Sequence, residues 1–170
     1  MRILIAEDET DILGLYKSAL QQRGHEVVAA SNGEEALRAY EESLSVDDSG
    51  KRHLSNFAVV VLDFKMPKKD GMEVAESILK LTPGQRIIFA SAYVKDTLLK
   101  SVKKLNRAVE LIQKPFELRT LVDTIEDLEM YAMLHEFNAN NIRKTSRRND
   151  EQLIDLTEQV YEIIKTRISS

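Results

Sequence analysis

Four places in the chain carry side chains whose chemistry could converge. Glu7-Asp8 follows the short run Arg2–Ala6, and Asp63 follows Ala58–Leu62, a continuous β-branched stretch. Ser91-Ala92 follows Arg86–Ala90, and Lys114-Pro115 follows Val109–Ile112. Side by side, these ends would bring three carboxylates, one hydroxyl and one ammonium into one crevice. Carboxylates that close repel one another and raise each other's pKa. A hard divalent cation relieves the repulsion, and Mg2+, with carboxylate and water ligands, fits best. With the cation in place, a spare oxygen of Asp63 could act as a nucleophile toward phosphorus. The cation and Lys114 would then stabilise charge on the phosphoryl oxygens in the transition state.

Each residue alone has an ordinary explanation. Asp8 or Asp11 could simply cap a helix. A lone Asp after an apolar strand is commonly a turn residue. Ser91 by itself says little, and a Lys before Pro usually sits in a solvated loop. The joint occurrence at four strand ends carries the reading.

The elements that would position these residues alternate. Asp11–Gln22 places apolar residues at 12, 13, 16, 19 and 20, which is helical spacing, and Gly24 follows where a C-cap belongs. Glu26–Ala30 is strand-like, Ser31-Asn32-Gly33 is a turn, and Glu34–Tyr40 starts a helix with acid in its first turn. Residues 43–56 are polar and aperiodic, which predicts a surface loop at the N-terminal edge of the strands. Asp70–Leu81 and Asp96–Leu105 have helical patterns, and a further helix opens near Glu117. Five β-α repeats with strands apolar on both faces predict a parallel sheet covered on both sides. In such sheets ligands bind at the carboxyl ends of the strands, which is where the chemistry stands.

Composition narrows the classes. The chain has 170 residues, 43% apolar and 31% charged, with a net charge of −4. That balance is ordinary for a globular protein and does not suit a polyanion binder. It has no cysteine, which excludes disulfides, zinc-thiolate sites and cysteine nucleophiles. Three histidines make a histidine-rich metal site a poor fit. The longest apolar run, Phe57–Leu62, is far short of a membrane span. The N-terminal apolar stretch is too short for a signal peptide, so a cytoplasmic location is expected.

The chain resembles the response-regulator receiver domains of two-component signalling. The resemblance rests on Ile3-Leu4-Ile5-Ala6-Glu7-Asp8-Glu9, Val59-Val60-Val61-Leu62-Asp63-Phe64-Lys65-Met66-Pro67, Asp70-Gly71-Met72-Glu73, Ser91-Ala92-Tyr93 and Lys114-Pro115-Phe116. It implies a flavodoxin-like (βα)5 doubly wound sheet over residues 1–127. It also implies that Asp63 is the phosphoacceptor, Ser91 the switch hydroxyl and Lys114 the ion-pair partner of the phosphoryl group. Glu7, Asp8, Asp63 and the backbone carbonyl of Lys65 would hold Mg2+, and Lys114-Pro115 would be a cis peptide. The donor would be a phosphohistidine on a sensor histidine kinase or a phosphotransfer protein. Such a protein is a phosphoacceptor rather than an enzyme acting on a separate substrate. Three positions bear on how it would switch and how long the phosphoryl group would last. Leu111 stands where many receivers carry an aromatic residue that rotates with the switch hydroxyl. Lys65 and Tyr93, each two residues past a site residue, would screen the acyl phosphate from water.

Residues 128–170 are expected to form a helical extension. The apolar pattern of the helix from Glu117 continues without Gly or Pro, which predicts one helix to about Asn138 and a break at Asn138–Asn141. A basic cluster follows at Arg143–Arg148, then a second amphipathic helix at Asp150–Ile168. Six basic and seven acidic residues suit a DNA reader poorly. Nucleic acid and membrane are therefore not expected partners, and output through protein association is. A homodimer could form through the C-terminal helices. It could instead use the face made by 96–105, 109–112 and the helix from 117, where basic and acidic stretches would lie side by side. The alternative is a DNA-binding transcriptional regulator with a minimal C-terminal tail. A small-molecule phosphatase is disfavoured, because Lys65 occupies the place where such enzymes put a second Asp. An intact acid pocket argues against a phosphorylation-free scaffold.

Overall fold

The computed structural model of the chain describes residues 1–46, 52–92, 105, 107 and 109–145. The elements are β1 (Arg2–Ala6), α1 (Thr10–Gln22), β2 (Glu26–Ala30), α2 (Gly33–Glu42), β3 (Leu44–Val46) and β4 (Arg52–Ser55). They continue with β5 (Val59–Asp63), α3 (Gly71–Leu81), β6 (Ile87–Ser91), β7 (Glu110–Gln113), α4 (Leu118–Glu126) and α5 (Leu128–Thr145). The expected helix at 96–105, Tyr93, and the expected helix at 150–168 lie outside the described residues.

Five strands form one parallel sheet in the order β2-β1-β5-β6-β7. This is the flavodoxin-like arrangement that the resemblance implied, with the order reversing beside β1. Side chains alternate between two cores because a strand has a period of two. Leu4, Val60, Leu62 and Phe89 pack with Ala36, Tyr40, Ala75 and Ile78 on the α2–α3 side. Ile3, Ile5, Val61, Ile88 and Ile112 pack with Leu13, Tyr16, Leu20, Leu121 and Ile125 on the α1–α4 side. Each large aliphatic side chain fully buried this way contributes about 1.5–3 kcal/mol.

Caps fix the helix boundaries. Asp70 and Glu73 form a reciprocal capping box at the start of α3, with bonds of 2.8 and 2.9 Å. Asn32 accepts from the Glu35 N–H at 3.0 Å at the start of α2. Gly24, past the end of α1, has φ +81°, the left-handed conformation the C-terminal turn requires.

Two expectations are corrected. Residues 43–56 are not a plain surface loop. They contain the antiparallel hairpin β3–β4, registering Leu44 with Ser55 and Val46 with Arg52. Leu44 is buried, and the Ser43 and Ser55 hydroxyls meet at 3.1 Å. The helix from Leu118 does not run unbroken to Asn138 either. It stops at Glu126, and α5 begins at Leu128 and passes through Asn138–Asn141 without the expected break.

The cause of the break is Arg86. Its guanidinium donates to the carbonyls of Thr124 at 2.7 Å and Ile125 at 2.8 Å. In a continuous helix those carbonyls would accept from the N–H groups four residues on. Asp127 leaves the helical conformation, and its Oδ1 accepts from the Met130 N–H at 2.8 Å to cap α5. Arg86 is itself fixed by a buried bidentate pair with Glu110, at 2.7 and 2.8 Å. It also lies 5.0 Å over the Tyr131 ring. Buried Met130 and Leu134 complete the seat of α5 at the N-terminal edge of β6 and β7, opposite the chemical crevice.

Candidate functional site

Parallel registration brings the expected residues to one edge of the sheet. Ala6 pairs with Leu62, Asp63 with Ala90, and Ser91 with Gln113. Glu7 and Asp8 therefore leave β1 beside Asp63, the last residue of β5, and Lys114 leaves β7 beside Ser91. Glu7 is buried, Asp63 half-buried and Asp8 exposed. One carboxylate oxygen from each lies within 4.8 Å of the others. Lys114 Nζ bridges two of them, 2.6 Å from Glu7 Oε2 and 2.8 Å from Asp63 Oδ2.

The electrostatics follow from this crowding. Burial pushes the Glu7 carboxyl above the usual carboxylate range. The Lys114 hydrogen bond opposes that shift, and the charge of Asp63 adds to it. Burial also works against the charge on Lys114, but hydrogen bonds to Asp63 and Glu7 outweigh it and hold the ammonium above the ordinary lysine range. Three crowded hard oxygen donors balanced by a single ammonium fit a small divalent cation such as Mg2+.

Two turns hold these groups in place. The first joins β5 to α3. The Gly71 N–H donates to the Phe64 carbonyl at 3.0 Å, and a Cβ on Gly71 would overlap the Asp63 carbonyl. Only glycine allows that approach. The Lys65 N–H reaches Asp63 Oδ1 at 3.3 Å, and the Lys65 side chain is exposed. The same turn is braced from α2, where a Cβ on Gly33 would overlap Lys69 and where Glu34 stands 3.5 Å from Lys68 Nζ.

The second turn joins β7 to α4. Lys114-Pro115 is cis, as the resemblance implied. The Lys114 N–H donates to the Ser91 carbonyl at 2.8 Å, which ties the two strand ends together. Ser91 is buried at the end of β6. Leu111 is half-buried, packed against the α2–α3 core. Two residues past Lys114, Phe116 stacks on Tyr16 of α1, with centroids 5.6 Å apart and planes at 17°. Helical spacing had placed Tyr16 on the apolar face of α1 but could not name its ring partner.

The family model for the response regulator receiver domain matches residues 3–126. The chain belongs to the response-regulator receiver family. Receivers are signalling proteins rather than classical enzymes. The response regulator receiver protein CpdR of Brucella abortus is 29% identical over 127 residues, covering 75% of this chain and 95% of that protein. The transcriptional regulatory protein SrrA of Staphylococcus aureus is 31% identical, covering 95% of this chain and 68% of that one. Among solved structures, the response regulator TrrA of Thermotoga maritima, in complex with Mg2+-BeF, is 33% identical with a TM-score of 0.60. The match covers 75% of this chain and 97% of TrrA. Among the described residues no helix is long and apolar enough to cross a membrane.

Proposed function

We propose that this receiver accepts a phosphoryl group on Asp63, with Mg2+ bound by Glu7, Asp8, Asp63 and the Lys65 carbonyl. The donor is a sensor histidine kinase or a phosphotransfer protein. The observation that carries the reading is the single crevice in which Lys114 Nζ bridges Glu7 and Asp63 beside Asp8. The Mg2+-BeF complex of TrrA supports the choice of cation.

Asp63 Oδ attacks phosphorus, a P–O bond forms, and the P–N bond of the phosphohistidine breaks toward the imidazole nitrogen. Mg2+ held by Glu7, Asp8, Asp63 and the Lys65 carbonyl would supply positive charge against the phosphoryl oxygens and the carboxylate cluster. Lys114 moves its ammonium from the carboxylate toward the transferred group and neutralises part of its charge. The Ser91 hydroxyl turns to hydrogen-bond a phosphoryl oxygen. With Leu111 at the aromatic position, Ser91 and its following loop carry the switch. Slow attack of water on phosphorus releases phosphate and restores Asp63. Lys65 and Tyr93 screen the acyl phosphate and delay that attack.

The receiver body spans 1–127 and the extension 128–170, and output is protein association. The sequence of residues 150–168 repeats apolar residues at three- and four-residue spacing, and Leu128 and Met133 of α5 are exposed. A second copy can meet this extension, or the face that includes β7 and α4. Sedimentation with and without beryllofluoride and Mg2+ tests this. A shift to a larger species, absent in Asp63→Asn, supports it, and an unchanged species overturns association as a homodimer.

One observation favours a second reading, a DNA-binding transcriptional regulator. The match to SrrA runs over 95% of this chain and so enters the extension. Retention on DNA at low salt that weakens as salt rises would favour it. No retention at any salt would remove it.

A further inference from the structure

The geometry points to Tyr16 as a positioning residue for Lys114: its ring, stacked on Phe116, fixes the turn from which the ammonium reaches Asp63 and Glu7. This rests on the phosphoacceptor reading above.

The Lys114 ammonium sits at the end of a flexible four-carbon stem, so its placement depends on how firmly its backbone is held. One anchor is the Lys114 N–H bonded to the Ser91 carbonyl at 2.8 Å. The turn then passes through Pro115, which is exposed, to Phe116, which is half-buried. The second anchor is therefore the Phe116 ring, and its aromatic partner is Tyr16. Tyr16 is itself buried. Its side chain is 6% exposed, and it packs with Leu13 and Leu20 of α1 and with Leu121 and Val122 of α4.

Aromatic pairs have a preferred offset, so the stack holds direction as well as distance. An aliphatic residue of similar size would fill the space without setting that angle. The Tyr16 phenol also senses the site. Burial pushes it up to about 12, and the charges of Lys114, Glu7 and Asp63 all act on it. Tyr16 belongs to α1, an element separate from β6 and β7, whose ends hold the Lys114 backbone.

Timed intact-mass measurement of labelling by phosphoramidate in Mg2+ tests the inference. Tyr16→Leu and Phe116→Leu should each slow labelling about tenfold, within the roughly hundredfold that a 1 Å misplacement can cause. Tyr16→Phe keeps the ring and should restore the rate. In a Lys114→Ala background, Tyr16→Leu should cause no further slowing, because the group it positions is gone. Wild-type labelling by Tyr16→Leu overturns the inference, and so does equal slowing in both backgrounds, which marks a merely structural role. If Tyr16→Leu does not fold, Phe116→Leu, at a half-buried position, decides by the same criteria. A wild-type chain that takes no label overturns the phosphoacceptor reading and this inference with it. A labelled wild type with an unaffected Tyr16→Leu overturns only the latter.

Discussion

Lys114 Nζ stands 2.8 Å from Asp63 Oδ2, although the two residues come from strands that do not touch, with β6 between them. The ammonium crosses that strand to meet the carboxylate, and the Lys114 N–H holds the end of β6 on the way. On the proposed reading, the acceptor carboxylate and the ammonium that would neutralise its new charge are therefore paired before any phosphoryl group arrives. Electrostatic stabilisation of this kind needs little reorganisation at the moment of reaction.

Lys114→Ala should accordingly slow phosphoryl transfer to Asp63 by about 10²-fold, the low end of what loss of one such donor costs. Some stability should also be lost, since buried Glu7 loses its ammonium partner. Timed labelling by a small phosphodonor, with a thermal melt as the control, checks both halves.

Gly71→Ala should destabilise the chain by about 1–3 kcal/mol, the usual cost of overpacking. The added methyl meets the Asp63 carbonyl, which is backbone and cannot swing aside. Gly84→Ala is the control, because a Cβ there meets nothing within 4 Å. Urea unfolding of the two variants should separate them clearly, and labelling of Asp63 should fall only in Gly71→Ala.

Arg86→Met should cost about 3–5 kcal/mol, because it strands the buried Glu110 carboxylate. Two α4 carbonyls also lose their donor. Adding Glu110→Leu should recover much of the loss, since an apolar pair can replace a buried ion pair. Hydrogen exchange in Arg86→Met should rise most around Asp127 and the first turns of α5.

Tyr16 gives a pH signature. Its folded pKa is raised from 10.0 to about 12 by burial. The unfolded chain therefore loses that proton first as pH rises. Stability linked to Tyr16 is fully present below pH 10 and drains away as pH rises through about 12. The stability of Tyr16→Phe relative to wild type should accordingly rise above pH 10. Urea midpoints of the two proteins across that range provide the check, and a constant difference would contradict it.

The crevice was legible because each chemical residue stands where an apolar run stops, and parallel strands put all those stops on one edge. Glu7, Asp63, Ser91 and Lys114 are each unremarkable alone, and their joint occurrence at strand ends made them readable. What sequence missed depends on distant partners. The break at Asp127 interrupts a periodicity that runs on smoothly, because its cause is a guanidinium from β6's leading edge. The Tyr16–Phe116 stack joins residues at opposite ends of the receiver, so helical spacing could assign Tyr16 only to a face. The β3–β4 hairpin was hidden by polar composition, with Leu44 its clearest buried anchor.

The most direct test of the central claim is the intact mass of wild type and Asp63→Asn after phosphoramidate and Mg2+. The account predicts a single phosphoryl adduct on wild type that alkaline hydroxylamine removes, as expected of an acyl phosphate, and no adduct on Asp63→Asn. An unmodified wild type, or the same adduct on Asp63→Asn, would contradict it.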